Sequence, residues 1–247
     1  MELNLFLPNN WRRKKTRKAV CIISGGLDSS GVASYWKSKG YALNLLTYDY
    51  GQRARPEIRR AREIGKYLGA EEHKFIDISF MKELYGSSNV LTDETMEMPS
   101  HFQANIIVPV RNAVFLTIAT AHAFAIGAEV LAYGAHLTDK PYPDCRPEFA
   151  KSLAETLNLG DIDAINSRTH PAIKIWSPAI EGLSKDAMLK ISFGLLKERV
   201  FRTWSCYLDG GEQCGKCESC RNRRAAFKLA GIKDRTKYEK SLVAKQL

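Results

Sequence analysis

The chain has 247 residues, of which 45% are hydrophobic and 26% charged, with a formal net charge of +10 at pH 7. This balance excludes a wholly disordered chain, and no stretch reads as the roughly 18 successive apolar residues of a bilayer-crossing helix. The basic N-terminus has neither the apolar core nor the cleavage site of a signal peptide, so a cytoplasmic protein with no membrane partner is expected.

In residues 1–18 six Lys or Arg face one Glu, and in residues 221–247 nine face two acids, which leaves −2 on the body between them. The basicity therefore sits in two terminal arms that either bind a polyanion or form solvated surface. After the first arm, AVCIIS (19–24) is an apolar, β-prone run ended by Gly25 and Gly26, and DSSGVASYWKSKG (28–40) has helical apolar spacing with a glycine stop. The spacing predicts strand, loop and helix. ALNLLTYDYG (42–51) is a second strand, RPEIRRAREIGKYLG (55–69) a polar-faced helix and EHKFIDIS (72–79) a third strand. Such alternation implies crossover connections and a parallel sheet.

From 79 to 107 the periodicity is lost, and YGSSNVLTDETMEMPSHFQ (85–103) reads as an irregular insert suited to a lid. An apolar helix over 111–127, a fourth strand AEVLAYGAH (128–136) and a helix RPEFAKSLAETLNLG (146–160) come next. A short extended piece, IKIWSPAI (173–180), and a helix over 184–200 opened by Ser184 complete the body. The pattern divides the chain into a basic arm 1–18, an α/β domain 19–202 and a cysteine-rich, basic tail 203–247.

The loop SGGLDSS, Ser24 to Ser30, packs small polar residues where a bare turn needs none. Gly25 and Gly26 lack a Cβ, so main-chain N–H groups can turn inward around an anion. Ser24, Ser29 and Ser30 add hydroxyls, and the helix beginning near Asp28 points its positive dipole end at the same place. The combination makes a phosphate cradle, with a plain Ser- or Asp-capped turn as the alternative. It is not a Walker A loop, because no Gly-Lys-Ser/Thr follows, nor a G-x-G-x-x-G turn. The stretch resembles the S-G-G-x-D-S loop of the ATP pyrophosphatase superfamily, which includes adenylating amidotransferases and tRNA-thiolating enzymes. That resemblance implies that the loop holds the triphosphate of ATP, that pyrophosphate leaves, and that an oxygen of a second substrate becomes linked to AMP. It also implies that Asp28 acts through magnesium or by orienting the loop.

Cys206, Cys214, Cys217 and Cys220 have seven, two and two residues between them. Two-residue gaps let successive thiolates converge, and the glycine-rich longer gap lets Cys206 close a tetrahedron, as in a structural zinc site. An iron–sulfur cluster is compatible with the same spacing, whereas a cytoplasmic compartment disfavours disulfides. Cys21 lies in an apolar strand and reads as a small core residue.

Further stretches, YDYGQRARPEIRRA, VPVRNAVFL, GAHLTDKPYPDCRPEF and TWSCY, followed by CGKCESCRNRRAAF, are similar in order to the 7-cyano-7-deazaguanine synthases, from Ala19 to Phe227. The resemblance implies an adenine nucleotide alpha hydrolase-like fold, that is, a doubly wound parallel α/β sheet with a small C-terminal zinc-binding piece. It implies a ligase that uses ATP, magnesium and ammonia to turn 7-carboxy-7-deazaguanine into an amide, and a second ATP to dehydrate the amide to a nitrile. Ile23, Ser24, Gly25, Gly26, Leu27, Asp28, Ser29, Ser30, Tyr50, Gly51 and Gln52 are then expected to bind ATP. Arg111, Asn112, Asp139, Asp144, Cys145 and Arg146 are expected to bind the second substrate, with Asp28, Ser29, Arg111 and Lys185 in catalysis. Cys145 is also conceivable as a nucleophile, although adenylation already activates the carbon. The resemblance further implies a homodimer without a nucleic-acid partner. Lys140, Pro141 and the extended basic arm depart from the family pattern. The competing readings are a tRNA-modifying ATP pyrophosphatase, a relative that stops at the amide, and a non-catalytic zinc module that binds nucleic acid.

Overall fold

Alternating Ala19, Val20 and Cys21, none of them solvent-exposed, mark the first strand as one covered on both faces. In the computed structural model, which describes residues 16–239, this strand β1 (Lys18–Ile22) is the centre of a five-stranded sheet. Residues 1–15 of the basic arm and 240–247 of the tail lie outside the described residues. β1 is joined through α1 (Leu27–Ser38) to β2 (Ala42–Asp49), and β2 through α2 (Pro56–Tyr67) to β3 (Glu72–Asp77). The chain then crosses to the other side of β1 through α3 (Met81–Tyr85) and α4 (Arg111–Ile126) to β4 (Val130–Ala132). α5 (Pro147–Leu159) and α6 (Ile162–Asn166) lead to β5 (Lys174–Trp176), and α7 (Lys185–Leu196) and α8 (Glu218–Ala230) follow.

All pairings are parallel, in the order β3-β2-β1-β4-β5, with Cys21 in register with both Leu45 and Ala132. The order reverses between β1 and β4, and at such a switch point the connections leave in opposite directions and open a crevice beyond the strand ends. The sheet is doubly wound, as expected from the alternation. On one face α1, α2, α7 and α8 cover Ala19, Cys21, Leu43, Leu45 and Trp176; on the other α4 and α5 cover Val20, Leu46, Leu131, Ile173 and Ile175. Trp176 is fully buried, stacked on Tyr35 at 4.7 Å, and burial of an aromatic of this size contributes about 3 kcal/mol.

Four local features differ from the sequence reading. β4 stops at Ala132 because Gly134 then runs against the start of α1, where a Cβ on it would lie 3.1 Å from the Ser29 nitrogen. α7 ends at Leu196 because Lys197 takes φ +51°, and a 3-10 turn continues to Arg202. α6 is an additional short helix that the reading of 161–172 left unassigned. The insert takes the place expected of a lid, with Leu91, Ile106 and Ile107 against the crevice, but it is tied down: Arg53 Nη1 donates to the carbonyls of Val90, Asp93 and Met96 at 3.0–3.1 Å, and Val90, Leu91 and Ile106 join the core.

The segment Ala104–Ile126 is long and apolar enough by composition to cross a membrane, which the sequence reading did not register. In the fold its helical part is α4, whose Phe115, Leu116, Ala119 and Ala123 pack into the core of the second sheet face.

Candidate active site

The loop between β1 and α1 is built around Gly25 at φ +89°. A Cβ there would meet Glu57 O at 2.3 Å and Ala61 N at 2.5 Å, both main-chain atoms that cannot yield, so only glycine seats the loop on the first turns of α2. Ser24 N donates to Ser29 Oγ at 3.1 Å, Gly26 N to Ser24 Oγ at 3.2 Å, and Ser30 Oγ to Gly26 O at 2.7 Å. These bonds close the loop on itself. The first-turn amides of α1, at Leu27, Asp28 and Ser29, have no intrahelical acceptor and point with the helix dipole toward the crevice, which suits an anion.

A chain of charges lies beside the loop. Asp28 Oδ2 accepts from Lys185 Nζ at 2.8 Å, Asp28 Oδ1 faces His136 Nε2 at 3.5 Å, and His136 Nδ1 faces Asp139 Oδ2 at 3.3 Å. Burial opposes the charge on Asp28, but Lys185 and His136 outweigh it and hold the carboxyl below the usual range. Burial likewise works against the Lys185 ammonium, and Asp28 and Asp139 more than compensate, so its pKa is raised. Asp139 is pushed up by burial, only partly offset by His136.

Across the crevice, Val110 adopts a left-handed φ of +48°, so that α4 starts with Arg111 turned inward. Arg111 Nη1 donates to Tyr50 OH at 3.2 Å, while its buried Nε has no partner among the described residues. Asp144 Oδ2 accepts from Asn112 N at 3.1 Å, and Asn112 Nδ2 reaches Cys145 Sγ at 3.4 Å. Burial, with Asp139 and Asp144 nearby, pushes the Cys145 thiol far up, so it is not the thiolate that nucleophilic attack requires.

Glu57, in the first turn of α2, is pushed by burial to about 8, with Arg111 pulling the other way. A carboxyl raised from 4.5 in the unfolded chain to about 8 keeps its proton longer when folded, so folding stability falls as pH rises between those values. Glu57→Gln is therefore expected to remove that loss, which is on the order of a few kcal/mol. The drop in Tm between pH 5.5 and pH 8.5, measured without ligands, should be smaller in the variant; an equal drop would place the titration elsewhere.

These groups converge on a cavity of about 250 Å³ at the switch point. Of the expected ATP-binding residues, Ser24, Gly26, Leu27, Asp28, Ser29, Tyr50 and Gln52 line it, and so do Arg111, Asn112, Asp139, Asp144, Cys145 and Lys185. Ile23 instead points into the core, Ser30 ties α1 to the loop, and Gly25 and Gly51 shape the chain behind the wall. Arg146 turns out to Lys140 O. A second cavity of about 260 Å³ shares Asp139, Tyr142, Lys185, Glu218 and Asn222 with the first.

Sequence reading missed Glu57, His136, Glu218 and Asn222. Glu57 could have been found as the acid directly behind the helix-opening Pro56, and Glu218 as the acid between two cysteine ligand candidates.

The four tail cysteines are buried, and their Sγ atoms all lie within 4.8 Å of one another, close to the spacing of thiolates around one ion. Main-chain N–H groups of Lys216 and Cys217 donate to Cys214 Sγ at 3.4 and 3.3 Å, and those of Leu208 and Cys214 to Cys206 Sγ at 3.5 and 3.4 Å. Amide donors aimed at sulfur, with no carboxylate among the four donors, suit anionic thiolates on a metal ion. The segment also reaches the loop, since Trp204 N donates to Gly25 O at 2.9 Å.

The model of the family described as "QueC: Queuosine biosynthesis protein QueC" matches residues 18–231. The chain is 41% identical over 227 residues to a 7-cyano-7-deazaguanine synthase of Oceanobacillus iheyensis, covering 90% of this chain and 98% of the relative. It is 37% identical over 238 residues to a 7-cyano-7-deazaguanine synthase of Legionella pneumophila strain Paris, covering 91% and 98%. Among solved structures it is similar to an NH3-dependent NAD synthetase from Campylobacter jejuni, with a TM-score of 0.36 and 12% identity over 77% of this chain and 88% of that one.

Proposed function

Because the chain belongs to the QueC family of queuosine biosynthesis proteins, we propose that it makes 7-cyano-7-deazaguanine from 7-carboxy-7-deazaguanine and ammonia with two molecules of ATP. The observation that carries this reading is the meeting of the Gly-Gly loop, the Asp28–Lys185 pair and Arg111 on one cavity at the switch point. A carboxylate is a poor electrophile and an amide oxygen a poor leaving group, and linking either oxygen to AMP removes both difficulties. One nucleotide loop therefore serves two successive steps.

In this reading Ser24, Gly26 and the first-turn amides of α1 hold the triphosphate, and Lys185, kept protonated by Asp28, carries positive charge to the phosphate that is attacked. Tyr50 and Gln52 face the rest of the nucleotide. Arg111, locked against Tyr50, orients the substrate carboxylate, and Asp139 on the wall between the cavities accepts from the purine-like ring N–H groups. Asp28 is the carboxylate that the loop would offer a magnesium ion, which would neutralise triphosphate charge. Cys206, Cys214, Cys217 and Cys220 would hold a zinc ion as a structural crosslink.

The protein is proposed to act in the cytoplasm, as a homodimer and on small molecules. The tRNA-modifying alternative draws its support from the terminal arms, much of which lies outside the described residues. Purified, zinc-loaded protein incubated with the acid, ammonium, magnesium and ATP should yield nitrile by mass spectrometry. Accumulation of amide alone would identify a relative that stops halfway, and recovery of unchanged acid would overturn the proposal.

A further inference from the structure

Arg223 stands on α8 one turn beyond Cys220 and is fully buried. Its guanidinium donates to Thr203 Oγ1 at 2.7 Å, Ser205 Oγ at 3.1 Å and Val200 O at 3.0 Å, and its Nε and Nη2 donate to Thr236 Oγ1 at 3.0 and 2.9 Å. Every one of these partners is neutral, and among the described residues Arg223 makes no ion pair. Hydrogen bonds satisfy the donors but leave the charge; the acid that acts on it, Asp234, makes no ion pair with Arg223 and has its two oxygens taken by Thr236 N and Tyr238 OH, and a buried cation without a paired anion is costly. Four thiolates around a divalent ion carry a net charge of −2, and Cys220, in the preceding turn of α8, is among the groups that act on the Arg223 charge. The two features that are each unfavourable alone, a buried cation and a buried dianion, compensate one another.

Two of the residues that Arg223 holds flank the one that reaches the loop. Thr203 and Ser205 flank Trp204, whose N–H donates to Gly25 O at 2.9 Å and whose carbonyl would lie 3.3 Å from a Cβ on Gly26. Gln213 grips the same strip from the metal side, accepting from Ser205 N and donating to Thr203 O, both at 3.0 Å. Ser205 itself lines the cavity.

We propose that Arg223 is a positioning residue, the countercharge of the four-cysteine metal centre, and that through Trp204 it makes nucleotide binding at the Gly-Gly loop depend on the metal. The inference rests on the reading of that loop as a nucleotide site. It is tested on the zinc-loaded protein with Arg223→Met and Arg223→Lys, reading zinc release to a chelator, affinity for a non-hydrolysable ATP analogue, and far-UV circular dichroism. Arg223→Met should release zinc at least tenfold faster and bind the analogue at least tenfold more weakly with the sheet intact, and Arg223→Lys should fall between it and wild type. A side chain that only fills space would leave zinc release unchanged, and that result overturns the proposal. If neither variant folds, Arg223 is a general core strut and the countercharge role falls. The metal dependence is then read on wild-type protein stripped by chelator, where unchanged analogue affinity would overturn it. Failure of the intact wild type to bind the analogue at all would instead sink the functional reading, while the zinc-release comparison still decides the countercharge.

Discussion

Asp28→Asn should lower ATP-dependent AMP formation by on the order of 10²–10³-fold while leaving the fold in place. The carboxylate sits 2.8 Å from Lys185 Nζ and is held ionised against its burial, and its other oxygen faces His136. An amide keeps the shape but removes the charge. Breaking one partner out of a buried pair costs about 3–5 kcal/mol, and with the Asp28 side chain 30% exposed the lower part of that span, about 3–4 kcal/mol, corresponds to the stated loss of rate when the cost falls on the reacting complex. Lys185→Met should cause a loss of similar size. Because both variants remove the same interaction, the double variant should be little worse than either alone, a strong departure from additivity. Single-turnover measurements of AMP release on the four proteins check this, and fully multiplicative losses would show that the two residues act independently.

The second large effect concerns the tail. Cys214→Ser removes a sulfur that accepts two main-chain N–H bonds and lies 3.9 Å from Cys220 Sγ, so the four-donor set is broken at its centre. Metal binding in small thiolate sites supplies about 10–16 kcal/mol of folding free energy in isolated zinc-finger peptides. The variant is expected to hold less than a tenth of the wild-type metal, and the strip from Trp204 to Tyr238 should lose its amide-exchange protection while β1, β2 and β4 keep theirs. Elemental analysis and hydrogen exchange read both outcomes, and wild-type protection of the strip without metal would mean that its packing on α7 suffices.

The fold was legible wherever a single element carried its own signal. The apolar run before Gly25, the polar-faced α2 and the glycine stops gave the parallel sheet its order of parts, but not its boundaries. β4 is shorter than its apolar pattern because of a close approach to α1 made by a distant segment, and that contact has no local signature. The irregular insert does lie against the cavity, as its loss of periodicity suggested, but nothing local shows that Arg53, some forty residues earlier, ties its carbonyls down. At the site the loop and the cysteines were readable as motifs, and Lys185 and Arg111 through resemblance. Glu57, His136 and Glu218 come from α2, the turn after β4 and the start of α8, and their meeting around the two adjoining cavities has no local signature in the chain. Ile23, directly before the loop, faces the core because the alternation of β1 continued by one residue puts it with Ala19 and Cys21, under α1, α2, α7 and α8.

The most direct test of the central claim follows the oxygen atoms. With the acid labelled in both carboxylate oxygens by ¹⁸O, the account predicts two AMP molecules for each nitrile formed, each carrying one labelled oxygen, and an amide intermediate that retains one. Nitrile accompanied by unlabelled AMP, with the label in water or in inorganic phosphate, would contradict it.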